Sequence, residues 1–222
     1  MDLLWRKSSC ARSVDMLSSA SPIVLGSGSP RRRDMLEQLG LPLIVDPPQV
    51  DESHPPGQDA ASYVAEIALR KLNATLEKWR ESARDFSAVL CADTVVVLSG
   101  QVLQKPVDEA HAAAMLSQLA GRTHHVLTAY SLWTPARAAT RSRLVSSEVT
   151  FRAIRPWEVA WYVRSKEGLD KAGGYAVQGL GMVFVEKIQG SYSNVVGLPM
   201  CELWADLCDL KVVGAPAQEH GQ

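Results

Sequence analysis

The chain has 222 residues, 46% of them hydrophobic and 21% charged, with a formal net charge of -1 at pH 7. This is ordinary globular composition, and the length fits one large domain or two lobes about a shared core. Near neutrality excludes a broad positive field for holding nucleic acid, and no apolar run reaches the roughly 18 residues of a membrane span.

Residues 1–21 carry a few basic groups but no apolar block long enough for a secretory signal. They read as a disordered leader, or as sequence upstream of a second start at Met16. The domain is expected over 22–210, with 211–222 a loose tail. Cys10, Cys91, Cys201 and Cys208 form no C-x-x-C pair, and the five histidines show no zinc-site spacing. Free thiols in a reducing cytoplasm are therefore expected, and zinc is not.

"PIVLGS" (22–27) is a short apolar run that predicts a buried strand. A helix follows at once, with Ser29 as N-cap, Pro30 at its first position and Gly40 past its end. "LIVD" (43–46) predicts the next strand, and the Pro-rich "PPQVDESHPPG" (47–57) a loop. Asp59 caps a long helix to about Trp79, with Val64, Ile67, Ala68, Leu72 and Leu76 on its apolar face. "AVLCADTVVVL" (88–98) reads as a central strand turning at Ser99-Gly100 into "QVLQ" (101–104). An amphipathic helix over 108–119 precedes two strands, 124–134 and 142–154, that suggest a long hairpin. A helix from Pro156 to about Ser165, a Gly-rich stretch (168–181), a strand (182–188), a loop (189–199) and a helix from Pro199 to Leu210 complete the chain. Interleaved strands and helices predict an α/β fold with a mixed sheet.

Three features carry chemistry. In "LGSGSPRRRDML" (25–36) Arg31, Arg32 and Arg33 stand where a helix begins. The positive end of the helix dipole opposes basic residues there by about 0.3–1 kcal/mol each. That opposition is cancelled if an anion lies against the free N–H groups and guanidinium forks; three solvated arginines are the plain alternative. The segment lacks the Gly-Lys-Ser/Thr ending of a P-loop. Asp93 interrupts an apolar strand, where an unpartnered carboxylate is expensive, so a cation or a basic side chain should face it. Lys71 falls on the apolar stripe of its helix, where it either snorkels to water or aims at an anion.

Taken together, "SGSPRR" (27–32), "VDE" (50–52), "CADTVV" (91–96), "QKPVDEAHAAAMLSQLAGRTHHVLTA" (104–129), "VTFR" (149–152) and "DKAGGYAVQG...IQGSYSNVVGLP" (170–199) resemble, in order and spacing, the Maf family of nucleoside triphosphate pyrophosphatases. The resemblance runs from about Ile23 to about Leu210. It implies an elongated α/β fold, a mixed sheet with flanking helices in two lobes around a central cleft. The shape is similar to that of inosine triphosphate pyrophosphatases. It implies hydrolysis of a nucleoside triphosphate to monophosphate and pyrophosphate with a divalent metal, Mg²⁺ or Mn²⁺, by a cytoplasmic homodimer that binds neither nucleic acid nor membrane. By the same resemblance Asp93 is the catalytic carboxylate. Arg31, Thr94 and Gln178 set base specificity, Ser29, Arg32, Lys71 and Lys105 hold the phosphates, and Glu52 joins Asp93 at the metal. "AGGYAVQG" and "GSYSNVVGLP" resemble the subgroup acting on dTTP and UTP. Action on 7-methyl-GTP or on a broad set of modified nucleotides stands as an alternative. So does a non-catalytic nucleotide-binding module linked to septum formation. Gly26 and the second glycine of "KAGGY", Gly174, depart from the usual alanines.

Overall fold

The computed structural model describes residues 21–214 except 56 and 83; the expected leader up to residue 20 and the tail from 215 lie outside the described residues. The elements run β1 (Ile23–Leu25), α1 (Pro30–Glu37), β2 (Leu43–Val45), α2 (Ala60–Arg80), β3 (Ala88–Leu98), β4 (Gln101–Leu103), α3 (Glu109–Leu119), β5 (Thr123–Thr134), β6 (Ala139–Phe151), α4 (Pro156–Arg164), β7 (Val185–Gln189), α5 (Tyr192–Val196) and α6 (Met200–Asp209). Seven strands form one mixed sheet in the order β2-β1-β3-β5-β6-β7, with β4 paired to β3. β1 is parallel to β2 and β3, and every other pairing is antiparallel.

β3 is the spine of the sheet. β5 pairs with one of its edges without a break from Val89 to Val97. The opposite edge is shared by β1, at Ala88–Leu90, and β4, at Val96–Leu98, so no strand lies beside it over residues 91–95.

Side chains of β3 alternate between faces. Val89, Cys91 and Val95 pack under α2 with Leu72, Leu76, Val64 and Ile67. The other face carries two separate cores. Ala88, Leu90 and Ala92 pack with Leu36 of α1 and with Leu203 and Leu207 of α6. Val96 and Leu98 pack with Leu116 and Leu119 of α3 and with Val159 and Tyr162 of α4. Two cores on one strand make two lobes, and the unpaired stretch of β3 lies where they meet.

Local signals act largely as the sequence suggests. Asp59 accepts from Ser62 N and opens α2, and Asp108 accepts from His111 N and opens α3. Ser29 stands at the N-cap of α1, but its side chain makes no capping hydrogen bond. The strand expected over 182–188 begins only at Val185, because Leu180–Phe184 is wound into 3-10 turns held by Glu167, which accepts from Leu180 N and Gly181 N. The expected loop 189–199 contains α5, capped by Ser191 accepting from Asn194 N. Val212 and Val213, read as tail, are buried in the core with α6. Gly26 is required by its surroundings, since a Cβ there would lie 2.3 Å from Cys91 Sγ. Gly174 has φ +71°, a conformation an alanine would strain to adopt.

Asp206 fastens α6 to the hairpin of β5 and β6. It is 0% exposed, accepts from Tyr130 Oη at 2.6 Å and Arg141 Nη1 at 2.8 Å, and takes two bonds from Arg143 at 2.7 and 2.6 Å. Burial alone would raise its pKa, but the bonds from Arg143, Tyr130 and Arg141 outweigh burial and hold it at about 2. A depressed folded-state pKa stabilises the fold above the unfolded value and loses that contribution as pH falls towards the folded one. Asp206→Asn is expected to cost about 3 kcal/mol at pH 7, because Arg143 loses its carboxylate and must turn to water while Arg141 keeps only Asp209. Urea unfolding of the two proteins should show this gap shrinking as pH falls from 7 towards 2.

Candidate active site

The gap in β3 opens into a cleft of about 360 Å³, lined by Gly26–Arg32, Glu52, Lys71, Asp93, Thr94, Lys105, Tyr175–Val177 and Val195–Gly197 among others. Both lobes contribute walls. β1 ends at Leu25, and the turn after it aims the first turn of α1 at the gap.

The three arginines of that turn have three fates. Arg33 is exposed and pairs with Asp34 at 3.5 Å and Glu37 at 3.7 Å, the plain solvated outcome. Arg31 is half-buried in the cleft wall and donates from Nε to Val196 O at 3.3 Å. Its two amino groups have no protein partner among the described residues. Arg32 is 7% exposed and fills the gap itself. Its Nε donates to Gly197 O at 2.7 Å, Nη1 to Ser27 Oγ at 2.9 Å and Ala92 O at 2.8 Å, and Nη2 to Thr94 Oγ1 at 2.9 Å. Arg32 thus takes the place of a missing strand, satisfying the Ala92 carbonyl that no strand reaches. Burial lowers its pKa, with the charge of Asp93 acting in the opposite direction.

Asp93 points to the α2 face. Lys71 Nζ lies 2.8 Å from Asp93 Oδ1 and 2.8 Å from Glu52 Oε1. Lys71 is only 8% exposed, so its stripe position aims it inward at these carboxylates rather than out to water. Glu52 comes from the Pro-rich loop. Two groups that the sequence reading missed tie that loop down: Tyr63 Oη donates to Glu52 O at 2.7 Å, and Arg70 Nη1 to Asp51 O at 2.5 Å. Both lie on α2, Tyr63 eight residues before Lys71 and Arg70 next to it. Only their helix register, with no motif, could have pointed to them. Burial pushes the Tyr63 hydroxyl pKa up, and the charge of Asp93 adds to this. Burial likewise pushes the Cys91 thiol up to about 11, which leaves it inert beside the site.

Of the other residues singled out from the sequence, Ser29 and Lys105 line the cleft, and Lys105 is exposed with no ion pair among the described residues. Thr94 lies on the opposite face of β3 from Asp93, its Oγ1 2.9 Å from both Arg32 Nη2 and Thr128 Oγ1 and 3.5 Å from Gly197 O. Gln178 is exposed and does not line the cleft, although its neighbours Ala176 and Val177 do. Among the described residues, Glu52 and Asp93 are the only carboxylates paired with Lys71. Among the described residues no group of three His, Cys, Asp or Glu side chains could hold a metal by itself. No helix among them is long and apolar enough to cross a membrane.

The model of the family described as "Maf-like protein" matches residues 22–210. Over 198 residues the chain is 42% identical to the dTTP/UTP pyrophosphatase of Escherichia coli (strain K12), covering 89% of this chain and 98% of that protein. The dTTP/UTP pyrophosphatase of Shigella dysenteriae serotype 1 (strain Sd197) is similar to the same extent.

Arg31 and Arg32 should separate experimentally. Arg32→Lys leaves the Ala92 or Gly197 carbonyl without its donor and is expected to cost about 2–4 kcal/mol in urea unfolding. Arg31→Lys should stay within about 0.5 kcal/mol of the unaltered chain.

Proposed function

The chain belongs to the Maf family, and on that premise we propose that it hydrolyses dTTP and UTP to the nucleoside monophosphate and pyrophosphate. One observation carries the reading. A single cleft is lined by Arg31, Lys71, Lys105 and the start of α1, by Val96, Val126, Val195 and Val196, and by Asp93 of β3, so cationic and apolar groups meet in one space. A nucleoside triphosphate has the same two-part character.

In this reading the triphosphate lies against the cationic groups. The uncapped first turn of α1 offers N–H groups to phosphate oxygens, and Arg31 and Lys105 offer side-chain donors that the protein does not itself use. Arg32 acts from below, fixing the positions of Ser27, Thr94 and Gly197. Lys71 holds Asp93 Oδ1, which leaves Oδ2 for the attacking water. Asp93 orients that water and takes its proton as the new oxygen bond to the α-phosphorus forms. The bond from the α-phosphorus to the bridging oxygen breaks, and pyrophosphate leaves with that electron pair. Positioning and charge neutralisation do most of the work in such transfers.

A divalent cation, Mg²⁺ or Mn²⁺, fits the donor set. Such ions are held by one or two carboxylates completed by substrate phosphates, and Glu52 and Asp93 supply that pair. When bound, the ion would neutralise phosphate charge and lower the pKa of a bound water. Cys91, Cys201 and Cys208 are free thiols, which supports a place in a reducing cytoplasm; the homodimer rests on the family resemblance alone.

Asp93→Asn should abolish pyrophosphate release from dTTP in a colorimetric assay while far-UV circular dichroism stays that of the unaltered chain. Chelation by EDTA should silence the unaltered protein, and added Mg²⁺ or Mn²⁺ should restore it. Full activity of the Asp93→Asn protein would remove the assignment.

A further inference from the structure

Glu52 stands in a stretch that the backbone does not hold. Among the described residues, no hydrogen bond between backbone groups joins residues 47–54 to the rest of the chain. Side chains of α2 hold it instead. Lys71 Nζ grips the Glu52 carboxylate at 2.8 Å, Tyr63 Oη donates to the Glu52 carbonyl at 2.7 Å, and Arg70 Nη1 donates to the Asp51 carbonyl. Their spacing puts all three on one side of the helix. They are not equivalent. Arg70 is half-exposed and also pairs with Glu66 at 2.6 Å. Tyr63 is 4% exposed, and its ring stands edge-on to His54 of the same loop, centroids 4.6 Å apart. Its hydroxyl also accepts from Gln104 Nε2 at 3.4 Å, and the Gln104 carbonyl accepts from Gly173 N at 3.1 Å. Lys105, the next residue, lines the cleft. One phenol oxygen therefore joins the loop that carries Glu52 to the segment that carries Lys105.

We infer that Tyr63 is a positioning residue for the divalent cation: by fixing the Glu52 main chain it sets that carboxylate beside Asp93, so that both can close on one ion. The inference rests on the pyrophosphatase reading above and deepens it. The Glu52 side chain is flexible and 45% exposed. With a loose main chain behind it, loop freedom as well as rotamer freedom would have to be lost before it could ligate. The Lys71 contact does not remove that cost. Lys71 is shared with Asp93, and a cation between the same two carboxylates competes with it. The Tyr63 bond goes to the main chain, so it persists whichever partner the carboxylate takes. Groups that orient metal ligands from behind are worth about 10–100-fold in affinity.

The test follows Mn²⁺ binding by electron paramagnetic resonance in the presence of the α,β-imido analogue of dUTP. It compares the unaltered chain, Tyr63→Phe, Glu52→Gln and the double variant. Tyr63→Phe removes one oxygen and keeps the ring against His54. Its Mn²⁺ dissociation constant should rise about tenfold. Its loss of UTP cleavage should fade as Mg²⁺ is raised, a sign of weakened cation binding rather than of slower chemistry. The double variant should bind Mn²⁺ no more weakly than Glu52→Gln alone, because placing a ligand that is already spoiled gains nothing. A role in stability alone would leave Mn²⁺ affinity unchanged in the folded protein. Unchanged Mn²⁺ affinity, additive losses in the double variant, or a Tyr63→Phe chain that no longer folds overturns the inference, while UTP cleavage by the unaltered chain keeps the pyrophosphatase reading. Absence of dTTP and UTP cleavage by the unaltered chain overturns both.

Discussion

A strand edge with no neighbour leaves backbone groups that something else must satisfy. Over residues 91–95 of β3, with β1 stopping short at one end and β4 beginning late at the other, Arg32 does this for the Ala92 carbonyl. Its guanidinium joins the Ala92 carbonyl, the Ser27 and Thr94 hydroxyls and the Gly197 carbonyl. These partners belong to the turn after β1, the middle of β3 and the segment after α5, so one buried cation ties together walls that belong to separate cores. A neutral or shorter side chain could not reach all four. The cleft exists because the sheet is incomplete there, and it keeps its shape because an arginine stands in for the missing strand.

The same gap explains why consecutive residues of β3 both line the cleft. Asp93 and Thr94 point to opposite faces of β3, as strand geometry requires. In a continuous sheet those faces would be sealed from one another under α2 and under the two cores. With the edge open, both reach the cleft from either side of the strand. Asp93 meets Lys71, which also holds Glu52, and Thr94 meets Arg32 and Thr128. Alternation along a single strand thus gives one cleft two chemically different side chains from consecutive residues.

Much of this was legible in the residues. The positions of β1, α1, α2, β3 and α3 followed from apolar period, caps and turn residues, and Asp93 and Lys71 stood out because each contradicted an apolar pattern. Their contact between α2 and β3 was foreseen as a need for a partner, though not as a named pair. The family resemblance gave Glu52, which no local pattern marks out. What stayed hidden depends on tertiary packing. The resemblance sets Arg32 with the phosphates and Arg31 with the base, and nothing local says which guanidinium the incomplete strand edge will claim. α5 was hidden inside a Gly- and Ser-rich stretch whose single turn is stabilised by the Ser191 cap and by burial of Asn194 against β5. Leu180–Phe184 carries the residues of a strand, but Glu167, distant in sequence, holds it in turns. Thr128 gave no signal, since a threonine on a half-buried strand is unremarked until its register partner is known.

The central claim is that one cleft receives a nucleotide in a fixed sense, anionic tail towards Lys71 and Asp93 and base towards Thr94. A crystal structure of the chain with the α,β-imido analogue of dUTP tests this directly. The account predicts phosphate oxygens against Arg31 and the start of α1, the α-phosphorus beside Asp93, and the pyrimidine edge at Thr94 Oγ1. A nucleotide bound the other way round, or bound outside the gap in β3, would contradict it.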